Sequence, residues 1–421
     1  MGARELRDEI AAERLTVAAA AHACLARIAE REPAIGAWAH LDPGKVLAAA
    51  GALDATTRRG PLHGVPIGVK DLIDTVDLPT EYGSPIYRGH RPGADAAAVA
   101  LARAAGALVL GKTVTTEFAA SHPGKTANPY DPARTPGGSS SGSAAAVADH
   151  MAPLAFGTQT AGSVIRPAAF CGIVGFKPSF GAIPRAGTKL LADSLDTVGV
   201  MARGVDDVAL FSAVLSGRPE LNRPGAAAAA PTIGVCLTLP GAASPSDATL
   251  RLIEAAARRV EARGATLRPL QLPAGFERLI EAHKTVMAYE AASALAYERL
   301  FHRAALSPAL AASLDDGAAI DPARYDAARE DAKRIGATVA IAMAGLDAVL
   351  APAALDEAPL GLGATGDPVF CRPWTLLLLP CLTLPAGLGP HDMPIGAQLV
   401  AGLRCDARLL AIARFVEAAL S

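Results

Sequence analysis

The chain has 421 residues, of which 51% are hydrophobic and 19% are charged. This apolar content is enough for one thick buried core, and it excludes a chain that is disordered over most of its length. With 39 basic and 41 acidic side chains, a net charge of −2 and a pI near 6.5, the protein has no excess of basic groups for the phosphates of nucleic acids.

Cysteine usage and hydropathy favour a cytoplasmic protein without a metal site. The six cysteines are scattered without a CxxC pair, and the nine histidines show no metal-ligand spacing. The first residues are charged in both signs and lack the apolar stretch of a secretory signal. The most apolar run, 374–389, is interrupted by Pro380 and Pro385 and is too short for a bilayer. We therefore expect a cytoplasmic location, no metal and no membrane contact.

The first part of the chain predicts helices that alternate with strands. Thr16 can cap a helix that runs to about residue 30, because apolar residues then recur at helical spacing. A short strand near Ala37 and a helix over 45–57 are predicted next. These elements are typical of packing rather than of chemistry.

Residues 64–71 form the first segment with chemical content. Apolar side chains alternate on one face, which is typical of a strand, and the pattern brings Lys70 to the end of this strand in apolar surroundings. Burial disfavours the ammonium form, so a buried lysine can act as a base. A surface lysine paired with Asp71 or Asp74 is the alternative.

Three short motifs match known sites without the structural context that those sites need. Residues 106–113 match a phosphate-binding loop, but a predicted helix over 95–105 precedes them and a strand over 107–110 lies inside the motif. Residues 361–366 match a dinucleotide-binding turn, but no strand precedes them and prolines follow. Residues 138–142 match a nucleophile elbow, but they follow a turn-rich loop rather than a strand. The matches therefore do not predict the usual functions of these motifs.

Two glycine-rich turns that carry serines lie in the middle of the chain, over 135–143 and 157–167. Glycines allow the backbone angles at which successive N–H groups point into an anion-binding concavity. An ordinary loop is the alternative, although the alanine run over 144–148 argues against a flexible linker. The pattern predicts a site where a serine attacks a carbonyl and backbone amides hold the oxyanion. The amides placed to do so belong to Thr160, Ala161, Gly162 and Ser163.

The second half of the chain is predicted to be mainly helical. A connector covers 217–222 and 226–231, and the remaining predicted elements follow it. They are helices over 247–263, 276–301 and 325–343, strands over 232–239, 348–350, near 384–385 and over 394–400, and a last helix from Asp406. We expect one large domain over 1–421, with a helical, cap-like insertion over roughly 245–345.

Taken together, the motifs resemble the amidase signature family, and most closely its malonamidase type. The likeness covers nearly the whole chain and rests on residues 64–71, 135–143, 157–178 and 394–406. It implies an α/β fold of one large domain, in which helices cover both faces of a mixed central β-sheet. It also implies a small-molecule amide as substrate, a homodimer, and chemistry that needs neither cofactor nor metal.

The resemblance assigns roles to single residues. It implies that Ser163 is the nucleophile, Ser139 the serine preceded by a cis peptide bond, and Lys70 the base. The base would draw the proton of Ser163 through Ser139, and water would hydrolyse the acyl-serine ester. In malonamidase-like relatives an arginine at the position of Arg166 binds the carboxylate of the substrate. A structural ion pair of Arg166 is the alternative, and both interpretations stay open.

Some positions depart from the commoner pattern of the family. Gln159 replaces an aspartate, as it also does in malonamidase-like members, and Ala161 replaces a glycine. The methyl group of Ala161 is expected to narrow the acyl pocket or to tilt one N–H donor. Leu378 replaces a small residue and is expected to reshape the pocket near Trp374. These changes make the substrate harder to assign than the reaction.

The sequence thus predicts an amidase for small linear amides, with a dicarboxylic half-amide such as malonamate as a candidate substrate. A carbamate, urethane or ester hydrolase with the same three residues is one alternative. An amidotransferase A-type subunit, which would need a partner and a source of ammonia, is another. A noncatalytic binding protein is the third, and the presence of Lys70, Ser139 and Ser163 argues against it.

Overall fold

A computed structural model describes residues 1–56, 60–120, 122–222 and 230–421. Over these residues the chain forms eleven strands and fourteen α-helices. Residue 57, at the end of the predicted helix over 45–57, and residues 226–229 of the predicted connector lie outside the described residues.

The elements alternate along the chain as follows. The strands are β1 (Trp38–Leu41), β2 (Pro66–Lys70), β3 (Leu108–Thr113), β4 (Leu154–Gln159), β5 (Val174–Lys177), β6 (Thr197–Ala202), β7 (Thr232–Val235), β8 (Thr266–Pro269), β9 (Ala348–Pro352), β10 (Cys381–Leu388) and β11 (Pro394–Val400). The helices are α1 (Ala3–Ala11), α2 (Val17–Ile35), α3 (Pro43–Asp54), α4 (Ala97–Ala104), α5 (Ser141–Ala148), α6 (Ile165–Phe170), α7 (Val205–Ser216), α8 (Asp247–Ala262), α9 (Arg278–Ala294), α10 (Ala296–Phe301), α11 (Pro308–Ala318), α12 (Pro322–Ala342), α13 (Arg372–Leu376) and α14 (Asp406–Leu420).

All the strands join one sheet in the order β1-β3-β2-β4-β6-β5-β10-β11-β9-β7-β8. Strand β2 lies between β3 and β4 and runs parallel to both. From β4 through to β9 the neighbouring strands are antiparallel, and β7 is again parallel to β8 and β9. The mixed sheet confirms the predicted fold class.

Helices cover both faces of this sheet. Along β9, Leu350 packs into the core that contains α7, α8 and α14, whereas its neighbours Val349 and Ala351 pack with α9, α12 and α13. Leu399 and Val400 on β11 divide in the same way. Successive side chains of a strand point to opposite faces, and here each face meets a helical layer.

Several predicted boundaries shift for local reasons. The Thr16 side chain accepts a hydrogen bond from Ala19 N at 3.0 Å, which confirms the predicted cap of α2. The helix continues past the predicted end through Pro33 and stops at Gly36, which adopts the left-handed conformation that ends many helices. The predicted helix over 276–301 is two helices, α9 and α10, because Leu295 leaves helical geometry.

The false phosphate loop lies in a strand. Residues 108–113 form β3, so Gly111 and Lys112 pair with β2 instead of surrounding an anion. This confirms that the match is accidental. Strands β4, β5 and β6 were not predicted. Each contains a glycine, which weakens the sequence pattern of a strand: Gly157, Gly175 and Gly199.

The predicted cap over roughly 245–345 contains α8 to α12. Helix α8 buries Ile253 and Val260 in the core below the sheet, whereas α11 packs against α9 on the other side. The role of this segment as a cap stays a prediction.

Candidate active site

Lys70 is the last residue of β2 and is completely buried. Its Nζ lies 2.7 Å from Ser139 Oγ and 2.7 Å from Thr158 Oγ1. A neutral amine has two N–H groups and a lone pair, so it can satisfy both hydroxyls and still accept a proton. Burial lowers the pKa of Lys70 well below that of a free lysine, although the nearby Asp196 carboxylate opposes this shift. The site therefore favours the neutral, basic form of Lys70.

Ser139 is one of the two hydroxyls that contact the predicted base. It follows a cis peptide bond from Gly138 and is buried directly before α5. Its carbonyl oxygen accepts a hydrogen bond from Thr116 N at 3.2 Å, which fixes the backbone at this position. The structure thus brings Ser139 and Lys70 into direct contact.

Ser140, the central serine of the elbow-like motif, has a different environment. Its Oγ accepts from Thr158 N and donates to Thr158 O, both at 3.3 Å. The motif follows a loop rather than a strand, as the sequence predicts. Ser140 therefore joins the glycine-rich turn over 135–143 to β4 and is not placed as a nucleophile.

Ser163 lies on a short loop, residues 160–163, between β4 and α6, which is called the oxyanion loop below. Gln159 shapes this loop: its Oε1 accepts from Val164 N at 2.9 Å and from Ile165 N at 3.1 Å. Its Nε2 donates to Thr375 Oγ1 at 3.0 Å, and that hydroxyl donates to Ala161 O at 2.8 Å. Gln159 thus uses both ends of its amide to set the path of the backbone around Ser163.

The oxyanion loop presents unused donors. The described residues supply no acceptor for the backbone N–H groups of residues 160–163. A Cβ at Gly162 would stand 2.8 Å from Pro368 Cβ, so only glycine fits there. The loop is also largely shielded from solvent: Ser163 is 6% and Ala161 is 9% exposed. Buried, unpaired N–H groups beside a hydroxyl can stabilise an oxyanion.

Thr160 is held from two sides by residues far away in the sequence. Its Oγ1 donates a hydrogen bond to Asp196 Oδ1, and its carbonyl oxygen lies 2.8 Å from His283 Nε2. Arg372 Nη1 lies 3.0 Å from His283 Nδ1 and can only donate, so Nδ1 accepts and Nε2 carries the proton. Burial and Arg372 lower the pKa of His283 to about 3, so its imidazole stays neutral. His283 orients the loop and has no free nitrogen for proton transfer.

Arg166 is buried on α6, three residues after Ser163. Its Nη2 donates to Gly138 O at 2.6 Å and to Thr365 Oγ1 at 3.1 Å. Its buried Nε has no partner among the described residues. Burial lowers the pKa of Arg166 to about 10, which still leaves the guanidinium charged at neutral pH. Arg166 thus joins α6 to Gly138, the residue that precedes Ser139.

Leu378 lies away from the three predicted catalytic residues. It has a left-handed φ of 62° and lines a cavity of about 890 Å³ between α12, α13 and residues 402–408. None of Lys70, Ser139 and Ser163 lines that cavity. The predicted effect of Leu378 would therefore have to pass through α13.

Sequence reasoning missed the residues that support the site: Thr158, Asp196, His283, Arg372 and Thr375. Thr158 lies on β4, which neighbours β2, but the sequence does not predict β4 and so gives no signal for this contact. The other four come from distant segments, and a single sequence carries no signal that links them to Ser163. Within the described residues no cluster of three or more metal-binding side chains occurs, and no helix is long and apolar enough to cross a bilayer.

Comparison with known proteins gives a consistent result. The profile of a family described as Amidase matches residues 19–410. The A-type subunit of the Glutamyl-tRNA(Gln) amidotransferase of Mycobacterium avium (strain 104) is 33% identical over 480 residues, which cover 99% of this chain and 97% of that protein. The protein of the same name from Chloroflexus aggregans is 44% identical over 242 residues, covering 55% of this chain and 49% of that protein. The match to this second relative thus spans about half of its length.

Solved structures extend the similarity over the whole fold. A crystal structure of an amidase has 31% sequence identity and a TM-score of 0.86, covering 100% of both chains. The peptide amidase from Stenotrophomonas maltophilia has 29% identity and a TM-score of 0.83, covering 100% of this chain and 97% of that one.

Proposed function

Because this chain belongs to the amidase family, we propose that it hydrolyses small linear amides through Lys70, Ser139 and Ser163. The observation that carries this proposal is the contact of 2.7 Å between the buried Lys70 Nζ and Ser139 Oγ. Unused N–H donors on the oxyanion loop support it. A peptide amidase among the similar structures supports a linear amide as the substrate class.

The proposed reaction needs no group from outside the chain except water. Neutral Lys70 takes the proton of Ser139 as Ser139 takes that of Ser163, whose oxygen attacks the amide carbon. The amides of Thr160, Ala161, Gly162 and Ser163 hold the resulting oxyanion. The Lys70 ammonium returns its proton through Ser139 to the leaving nitrogen, and the C–N bond breaks. Water, deprotonated along the same route, then hydrolyses the acyl-serine ester.

A pair of serine variants tests the nucleophile. Ser163→Ala should lower the rate of ammonia release by about 10³-fold or more, because the covalent route is lost. Ser140→Ala is the matched control, since it removes a buried serine hydroxyl of the first turn and should retain most of the activity. Full hydrolysis by the Ser163→Ala variant, or loss of activity in the Ser140→Ala variant alone, would overturn the assignment.

The contacts of Arg166 favour a positioning role over a carboxylate-binding one. Its Nη2 is committed to Gly138 O and Thr365 Oγ1, so removal of the guanidinium should disturb the backbone before Ser139. We expect Arg166→Ala to lower hydrolysis of malonamate and of the neutral propionamide alike, by about 10²-fold. A loss confined to malonamate would instead show that Arg166 binds the carboxylate of a half-amide.

A second candidate function is that of one component of an amidotransferase, because a protein with that name matches the chain almost end to end. Assay of the purified chain alone over a panel of amides, carbamates, urethanes and esters separates the candidates. Ammonia release from simple amides would support the stand-alone amidase. Activity that requires added partner proteins would support the second candidate.

The homodimer, the cytoplasmic location and the cap over 245–345 are part of the same proposal and follow from the resemblance and the composition. Light scattering of the purified protein tests the homodimer directly. If the protein is a monomer at micromolar concentration, the proposed homodimer is wrong, and the proposed chemistry is not affected.

A further inference from the structure

Asp196 is a buried carboxylate that the proposed reaction does not use. It stands directly before β6, whose first residue pairs with Gln159 at the end of β4. Its Oδ2 accepts from Leu191 N at 2.6 Å and from Ala192 N at 3.1 Å, and its Oδ1 accepts from Thr160 Oγ1. Three donated hydrogen bonds favour the ionised carboxylate in spite of its burial.

The same carboxylate acts on the predicted base. Thr158, which contacts Lys70 Nζ, lines a small cavity of about 10 Å³ together with Asp196. Among the described residues, Asp196 is the charge that raises the pKa of Lys70 against the effect of burial. Burial raises the pKa of Asp196 itself to about 6, and Lys70 opposes that shift. The two groups are therefore coupled in the interior of the protein.

The other charges that face this cavity are already engaged. Arg185 donates through Nη1 to the backbone oxygens of Asp193 at 2.6 Å and Asp196 at 3.4 Å, not to the Asp196 carboxylate. Lys189 Nζ donates to Glu298 Oε1 at 2.6 Å. Neither cation thus forms a direct ion pair with the Asp196 side chain.

On the basis of the proposed function, we propose that Asp196 is a positioning residue, which supplies the counterion for the Lys70 ammonium and holds the oxyanion loop through Thr160. When Lys70 takes the proton that leaves Ser163, a positive charge forms in a buried site. An isolated buried ammonium is costly, and a carboxylate in the same buried region lowers that cost even without direct contact. The same carboxylate anchors the first residue of the loop that holds the negative charge of the transition state.

The test removes the negative charge of Asp196 and keeps the shape of its side chain. In Asp196→Asn the Lys70 ammonium loses its counterion, so the pH at which kcat/KM falls on the acid side should move down by about one unit. Thr160→Val is the matched control: it removes the hydrogen bond but keeps the carboxylate, so it should lower kcat and move that pH by less than Asp196→Asn does. If a folded Asp196→Asn variant loses kcat/KM at the same acidic pH as the wild-type protein, Asp196 has only a structural role and the proposal is wrong.

A second measurement decides the matter if Asp196→Asn does not fold. Coupling between two titrating groups is reciprocal. The carboxyl carbon of Asp196, followed by ¹³C NMR, should therefore titrate at higher pH in Lys70→Met, which lacks the ammonium, than in the wild-type protein. An identical titration in both proteins would overturn the proposal. Failure of the proposed function looks different, since Lys70→Met would then keep its activity.

Discussion

Two completely buried lysines lie on neighbouring strands of the sheet and have opposite surroundings. Lys112, on β3, pairs in register with Val69 on β2, and its Nζ lies 3.4 Å from the Asp71 carboxylate. It also donates to Ile73 O at 2.7 Å and to Thr80 Oγ1 at 2.6 Å. Lys70 contacts two hydroxyls, and no described carboxylate forms a direct ion pair with it.

This difference shows that burial alone does not make a lysine a base. Burial lowers the pKa of Lys112 only to about 8, because Asp71 stabilises the ammonium at short range. The pKa of Lys70 falls well below its ordinary value, because its carboxylate, Asp196, acts from beyond hydrogen-bond distance. Lys112 is thus suited to hold the structure, and Lys70 is suited to exchange a proton.

The largest effect should separate the two lysines by activity. Lys70→Met should lower the rate of ammonia release by about 10³-fold or more, because the general base is lost. Lys112→Met should leave the rate per folded molecule nearly unchanged. Initial rates, normalised to the folded fraction from circular dichroism, check this. Equal losses in both variants would show that the two lysines do not differ in function.

The order should reverse for stability. Lys112→Met leaves Asp71 buried without its cation, which should lower the free energy of unfolding by about 3–5 kcal/mol. Lys70→Met leaves no carboxylate in direct contact without a partner, so its loss should be smaller. Urea unfolding of both variants measures the difference. A larger loss for Lys70→Met would contradict the structural role of Lys112.

Each lysine also has one threonine partner, which offers a finer matched pair. Thr158→Val should lower kcat/KM by about tenfold, because Lys70 loses one of the two groups that orient its Nζ. Thr80→Val should cost about 1 kcal/mol of stability and leave kcat/KM unchanged. A loss of kcat/KM in the Thr80→Val variant instead of the Thr158→Val variant would contradict the different roles of the two lysines.

The smallest expected effect concerns the pH at which kcat/KM rises. The reaction needs neutral Lys70, so kcat/KM should rise with pH through the pKa of Lys70 and then level off. Because burial lowers that pKa, the rise should end well below pH of about 10.4, where a free lysine titrates. A kcat/KM that still increases above that pH would mean that the base is a solvent-exposed amine.

The candidate residues at the centre of the site could be proposed from the sequence: local patterns single out Lys70 and the two serine-bearing turns, and the resemblance to the family assigns their roles. The alternation of β2 brings Lys70 inward, and the glycine-rich turns mark Ser139 and Ser163. The helix and strand predicted around residues 106–113 also exclude a phosphate-binding loop at Lys112. The contact of Lys70 with Ser139 confirms that two of these segments meet.

The supporting residues could not be predicted in the same way. Asp196 and His283 contact the oxyanion loop, and Arg372 contacts His283, through tertiary packing; nothing near them in the sequence identifies their partners. The break between α9 and α10 is similar, because Leu295 is a good helix former whose conformation is set by its packing. Local sequence patterns thus indicate the proposed catalytic residues better than the residues that hold them in place.

The contacts of His283 and Thr375 with the oxyanion loop matter for any attempt to divide the protein into fragments. All three proposed catalytic side chains belong to the first 163 residues, yet His283 and Thr375 fix the loop beside the nucleophile. A polypeptide that stopped before residue 283 would contain the three proposed catalytic side chains but would lack His283 and Thr375, which hold the oxyanion loop in place. Two separately expressed halves would therefore have to reassemble before either could turn over an amide.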